Sequence, residues 1–174
     1  MPEGFQPTVE AYQKEGAMPV RKLKDFLDRE NVKYVSIYHS VTYTAQEIAA
    51  SVHVKGREMA KTVMVKLDGK LAMAVLSASH QVNFEDLKKA SGAQDAMLAT
   101  EKEFKDLFPD CDIGAMPPFG NLYGMDVFVS RALTEDKEIA FKAGSHYELI
   151  RLAYKDFERL VSPKIADFSV RMKS

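Results

Sequence analysis

Three features of this 174-residue chain combine residue types that could do chemistry: Lys61, the loop Gly114-Ala115-Met116-Pro117-Pro118-Phe119-Gly120, and the triplet Gly144-Ser145-His146. In the loop, two glycines bracket two prolines, and no charge follows Asp112. Proline lacks an amide hydrogen and biases its predecessor away from helix, and two in a row could donate nothing to a central strand. A stiff loop with a nearly fixed backbone remains, able to present its amides and carbonyls to something small. A rigid turn between two elements is the other reading of the same residues. Lys61 heads the run Lys61-Thr62-Val63-Met64-Val65-Lys66-Leu67, whose period of two places it on the side of Val63, Val65 and Leu67. A lysine on an apolar face either snorkels off the strand's end or points its ammonium into a cavity that holds an anion. His146 either orients a substrate or completes a strand.

Other chemistries find less support. His39, His53, His80 and His146 stand at no metal-ligand spacing, and Cys111 is the only cysteine. Ser145 and His146 are neighbours, and on an extended strand they would face opposite ways, so they form no direct nucleophile–base pair. Cys111 adjoins the Gly/Pro loop, but a lone cysteine commonly serves as a small buried hydrophobe. No phosphate-loop or dinucleotide fingerprint is present.

The length suits one core, and 46% hydrophobic with 28% charged residues describes an ordinary globular domain. A formal net charge of −1 argues against gripping long nucleic acid by bulk electrostatics, though not against touching one end of it. Lys55, Arg57, Lys61, Lys66 and Lys70 cluster against only Glu58 and Asp68, a pattern that usually marks a solvated face. No apolar run is long enough for a membrane span, no signal peptide is expected, and the single cysteine fits a reducing, cytoplasmic setting.

The elements that must position these residues follow from periodicity. Residues 1–19 read as an N-terminal arm. Val20, Leu23, Phe26 and Leu27 predict a helix ending near Asn31, and 32–39 alternates as a strand. Thr44-Ala45-Gln46-Glu47 is a capping box that opens a helix through Val52 before Gly56. After the 61–67 strand, Asp68-Gly69 predicts a hairpin into a central strand over 71–78. Asn83 caps a helix that stops at Gly92, 96–99 is a short strand, and Thr100-Glu101-Lys102-Glu103 opens a helix that Pro109 ends. Strands are expected over 127–132, 138–142 and 146–152, then a helix over 154–160 closed by Ser162-Pro163. The interleaving predicts a single α+β domain over 20–162, a mixed, mostly antiparallel sheet with short helices around it, followed by a tail, 163–174.

The ordered set, Lys61-Thr62-Val63-Met64-Val65 entering a strand, then Gly114, Pro118 and Gly120 in a Gly-x-x-x-Pro-x-Gly loop, then Gly144-Ser145-His146, resembles the YbaK family. These are the prolyl-tRNA synthetase-associated editing domains, which hydrolyse wrongly charged aminoacyl-tRNA. The resemblance runs over residues 20–160. It implies a cofactor-free, free-standing aminoacyl-tRNA deacylase acting on the acceptor end, with tRNA-Pro carrying alanine, cysteine or serine as substrate and a synthetase as a further partner. It implies that Lys61 pairs with a terminal phosphate and that the loop of Gly114 and Pro118 acts on the ester. Gly120, Gly144, Ser145 and His146 are then expected to bind substrate, and water to attack without a side-chain nucleophile. Ser130 departs from the family pattern, where many relatives carry an acidic residue. The alternative is a non-catalytic module of the same fold that binds an aminoacyl-tRNA end or a nucleotide-like ligand.

Overall fold

Leu23 and Leu27, one turn apart, are both buried along the inner face of the first helix of the computed structural model, Arg21–Arg29 (α1), which describes residues 21–38 and 58–172. Asn31, at φ 57°, turns the chain out of that helix, as an αL-tolerant residue can, into the strand Tyr34–Tyr38 (β1). The predicted arm, the 44–52 helix, Gly56, Lys55, Arg57, His39 and His53 lie outside the described residues.

The strand headed by Lys61 spans Ala60–Leu67 (β2), and its alternation is real. Val65 is buried in one apolar cluster with Val63 and Leu67 packed on it, whereas Ala60 and Met64 enter the other. Asp68 (φ 51°) and Gly69 (φ 82°) both take the left-handed conformation that a tight hairpin demands, and Lys70–Ser77 (β3) returns antiparallel. β3 is central, as its two apolar faces predict. After the short strand His80–Val82 (β4), Asn83 accepts the Asp86 amide and caps the helix Phe84–Ser91 (α2), which Gly92 ends at φ 74°. Ala96–Leu98 (β5) forms the edge beside β2, and the capping box at Thr100 opens Glu101–Phe104 (α3). Asp126–Ser130 (β6) lies parallel to β3, and Lys164–Ala166 (β9) lies parallel to β6, giving a five-stranded sheet ordered β5-β2-β3-β6-β9.

A second, three-stranded sheet contains β1, Glu148–Ala153 (β8) and Glu138–Lys142 (β7), all antiparallel. The two sheets touch at one seam, where Met59 bridges Ala140. The helix Tyr154–Val161 (α4) closes the larger core with Phe157, which meets Phe119 edge-to-face at 5.5 Å. Phe119 also packs on Phe26 and Phe141, and it is fully buried. That ring anchors the Gly/Pro loop to the core; truncating such a ring costs about 3–5 kcal/mol. The architecture is α+β, mixed and mostly antiparallel.

Two details differ from the periodicity. His146 and Tyr147 form a turn before β8 begins, because the buried Ser145 hydroxyl accepts the Tyr147 amide at 3.1 Å and Gly144 sits at φ 95°. The stretch after Pro163, set apart above as a tail, is laid into the sheets. Besides β9 it forms Ser169–Arg171 (β10), paired with β4, and fully buries Phe168 between them. Three-residue strands are too short to show a period, so only pairing reveals them.

Candidate active site at the seam between the sheets

A cavity of about 280 Å³ opens at this seam, lined by Met59, Ala60, Lys61, Thr62, Ala78, Gly114, Met116, Phe141 and Lys142. The size is close to the lower end of small-ligand sites, about 300–1,000 Å³. The Met59–Ala140 bridge brings the start of β2 against β7, and the Ala78 amide, donating to the Met59 carbonyl at 2.7 Å, fixes the cavity's far side. Lys61 and Gly114 therefore meet around one space. Thr62 supplies a hydroxyl and Lys142 a second ammonium, and Met59, Ala60, Ala78, Met116 and Phe141 make the apolar part of the wall.

The Gly/Pro loop owes its position to the triplet 144–146. The Asp112 amide donates to the Gly144 carbonyl at 2.8 Å, the Gly144 amide to the Ala115 carbonyl at 2.7 Å, and the His146 amide to the Asp112 carboxylate at 3.2 Å. Gly114 takes φ 85°, a conformation that suits glycine. The Gly114 and Met116 amides donate to no described residue, although Met116 is 5% exposed. Buried amides are nearly always paired, so the buried Met116 amide, with the exposed Gly114 amide beside it, is a donor available to a ligand as far as the described residues go.

The remaining expected residues have other places. Pro118 and Gly120 are buried behind the cavity, and a Cβ on Gly120 would lie 2.6 Å from Val127 Cγ2 and 2.9 Å from the Met125 carbonyl oxygen. Gly120, without a Cβ, lets the loop pass close under β6. Gly144 clamps the loop and Ser145, accepting the Tyr147 amide, holds the turn that follows; neither lines the space. Neither does His146: its Nε2 lies 2.9 Å from the Ile113 carbonyl and its Nδ1 lies 3.2 Å from Lys142 Nζ. Ser145 and His146 share no side-chain hydrogen bond, which agrees with the lack of a nucleophile–base pair.

Electrostatics single out two lysines. Lys61 and Lys142 are half-buried, and burial pulls both ammonium groups below the ordinary lysine pKa. Neither has a carboxylate within ion-pair distance among the described residues. Lys66, by contrast, reaches Glu103 Oε1 at 2.6 Å, and Lys70 is exposed, so of the described residues of the basic cluster Lys61 lines the site. Cys111 does not line the cavity. Its thiol, 3.9 Å from the Tyr123 hydroxyl, is pushed up to about 11 by burial and is protonated at neutral pH.

Lys142 is the cavity residue that motif reasoning passed over. Its signal is a lysine at the end of a strand whose alternate positions, Ile139 and Phe141, are buried, immediately before the Gly-Ser-His triplet. Met59, Ala78 and Phe141 carry no signal of their own, since only the seam makes them neighbours.

Residues 39–160, more than half of the chain, match the family model described as the aminoacyl-tRNA editing domain. Among curated proteins, the proline–tRNA ligases of Bacillus mycoides (strain KBAB4) and Bacillus cereus (strain AH187) are each 26% identical over 88 residues. That stretch is 51% of this chain and 15% of those proteins, so the chain spans a small part of their length. Among solved structures, one assigned as a trans-editing enzyme for prolyl tRNA synthetase aligns with a TM-score of 0.76 at 20% identity, over 88% of this chain and 98% of that one. The hypothetical protein APE2540 aligns with a TM-score of 0.76 at 20% identity, over 86% and 100%. At such identity these two likenesses bear on the fold.

Proposed function

The chain belongs to the aminoacyl-tRNA editing domain family, and from that premise we propose that the seam cavity hydrolyses the ester of a mischarged aminoacyl-tRNA. The observation that carries the reading is a pair of half-buried lysines in one cavity, without a carboxylate partner among the described residues, beside two loop amides that donate to no described residue. A phosphate chain ending in an ester is a ligand that such a cavity complements. Lys61 pairs with a terminal phosphate of the acceptor end. The Gly114 and Met116 amides face the ester, where rigid donors stabilise the charge that develops on the carbonyl oxygen without reorganising. Water attacks the carbonyl carbon, the bond to the ribose oxygen breaks, and that oxygen takes a proton. The products are the free amino acid and the uncharged tRNA end, with one proton released.

Among the described lining residues no side chain is a nucleophile poised by a base, and a positioned water, assisted by the substrate's own ribose hydroxyl, does the attack in this reading. The apolar walls from Met59, Ala60, Ala78, Met116 and Phe141 suit a small, uncharged side chain such as that of alanine, cysteine or serine. The likeness to proline–tRNA ligases favours tRNA-Pro as the carrier.

The test is deacylation across a panel of mischarged tRNAs, with Ala-, Cys- and Ser-tRNA-Pro beside correctly charged controls. Turnover confined to one of these mischarged species is the expected result. Binding of an acceptor-end fragment without release of amino acid from any of them would return the non-catalytic module.

A further inference from the structure

Lys142 belongs to none of the motifs, yet it lines the cavity together with Lys61 and Gly114. Its surroundings decide what His146 can do. The Ile113 carbonyl oxygen only accepts, so His146 Nε2, 2.9 Å away, carries the ring hydrogen. A lysine ammonium only donates, so Nδ1, 3.2 Å from Lys142 Nζ, presents its lone pair. Both ring nitrogens are thus engaged, and none is left for a substrate. It also packs on the loop, since a Cβ at Gly114 would sit 3.7 Å from His146 Cε1. The Lys142 ammonium uses one hydrogen on Nδ1, and its other two have no partner among the described residues.

We infer that Lys142 is the charged donor to the ester carbonyl oxygen, and that His146 is a positioning residue acting through it. This rests on the deacylase reading above. The imidazole ties Lys142 to the carbonyl of Ile113, the residue before Gly114, so the cation and the loop amides are held at one corner of the cavity. Lys61 approaches from the other sheet and is left for the phosphate. As water adds to the carbonyl carbon, the π electrons move to the oxygen, and Lys142 meets that negative charge. When the intermediate collapses, the electrons return, the ribose oxygen leaves with a proton, and Lys142 keeps its own. No proton is transferred from the lysine, so its role is electrostatic.

A group that meets a neutral carbonyl in the ground state and an oxyanion in the transition state acts on kcat rather than KM. Lys142→Met keeps the length and removes the charge. On whichever mischarged tRNA the wild type hydrolyses, it should lose about 10²–10³-fold in kcat, the range for an oxyanion donor, with KM nearly unchanged. His146→Phe keeps the ring and loses both hydrogen bonds, and it should lose kcat in the same sense. The double variant should be no slower than Lys142→Met alone, because His146 works only through the lysine. Thermal melts accompany each variant. Lys142→Met removes an unpaired half-buried charge and should melt no lower than wild type, and Lys142→Gln serves as the second variant should it misfold. Unchanged kcat in the folded Lys142 variants, a raised KM with kcat intact, or additive losses in the double variant would each overturn the inference while the wild type stays active. A wild type inactive on every tRNA tested would overturn the deacylase reading, and this inference with it.

Discussion

The molecule holds two sets of buried lysines in opposite ways. Under α1, Lys24 Nζ lies 2.8 Å from Glu148 Oε2 and 3.4 Å from the Tyr38 hydroxyl, and Glu148 is 4% exposed. Burial pulls the Lys24 pKa down, but the Glu148 hydrogen bond and charge more than offset it, leaving Lys24 above its ordinary value. At the seam, Lys61 and Lys142 have burial without a carboxylate among the described residues and stay below theirs. Burying charge without a counter-charge is costly, and under the proposed reading a ligand completes these two half-buried cations. The first region ties a helix to a sheet; the second, in the proposed reading, receives an anion.

Breaking the seam should show the largest effect. Lys61→Ala should lose the rate equivalent of about 2–5 kcal/mol, more than tenfold, while melting near wild type. Lys61→Arg should recover little, since a planar fork does not replace a compact ammonium. Wild-type turnover by Lys61→Ala would remove that lysine from the mechanism. Breaking the paired region should do the reverse: Glu148→Ala leaves half-buried Lys24 without its carboxylate and should cost about 1–3 kcal/mol in urea denaturation. The surviving folded fraction should hydrolyse at the normal rate per molecule.

Gly120 and Gly114 separate the loop's packing from its chemistry. Gly120→Ala forces a methyl against Val127 and the Met125 carbonyl and should cost about 1–3 kcal/mol of stability. The catalytic constants of its folded form should stay near wild type, and a drop in kcat with an unchanged melt would give Gly120 a direct role.

Alkaline pH sharpens the contrast. The unfolded chain holds the Lys61 and Lys142 protons more tightly than the folded one, so their penalty is present below their lowered values and fades as pH rises toward 10.5. Lys24 contributes stability below 10.5 and loses it as pH climbs through its raised value. Lys61→Met should thus melt above wild type at neutral pH, with the gain vanishing near 10.5. Lys24→Met should melt below wild type throughout that range. Parallel pH dependences for the two variants would show that the lysines are not held in opposite ways. The smallest effect belongs to Cys111→Ala, which should leave hydrolysis nearly unchanged, because the protonated thiol lies off the cavity. A hundredfold loss with the fold intact would give the sulfur a part.

What the chain's local order decided is whatever one turn or one alternation can encode. Asp68-Gly69 could only be a tight hairpin, Asn83 and Thr100 capped the helices that follow them, and the period of two put Met64 and Val65 on opposite faces. Lys61, the Gly114 loop and the Gly-Ser-His triplet were legible as separate candidates because proline, glycine and a misplaced charge are unusual locally. Their roles were not legible. Lys61 and Lys142 share a cavity only because Met59 bridges Ala140 across a long stretch of chain, and His146 loses both nitrogens to partners that the fold brings to it. The strands β9 and β10 likewise exist only as pairings, with Phe168 buried between them. Local conformation follows from backbone sterics and side-chain period, which each segment carries within itself. A site of paired and unpaired charges depends on which segments meet, and only the packed structure decides that.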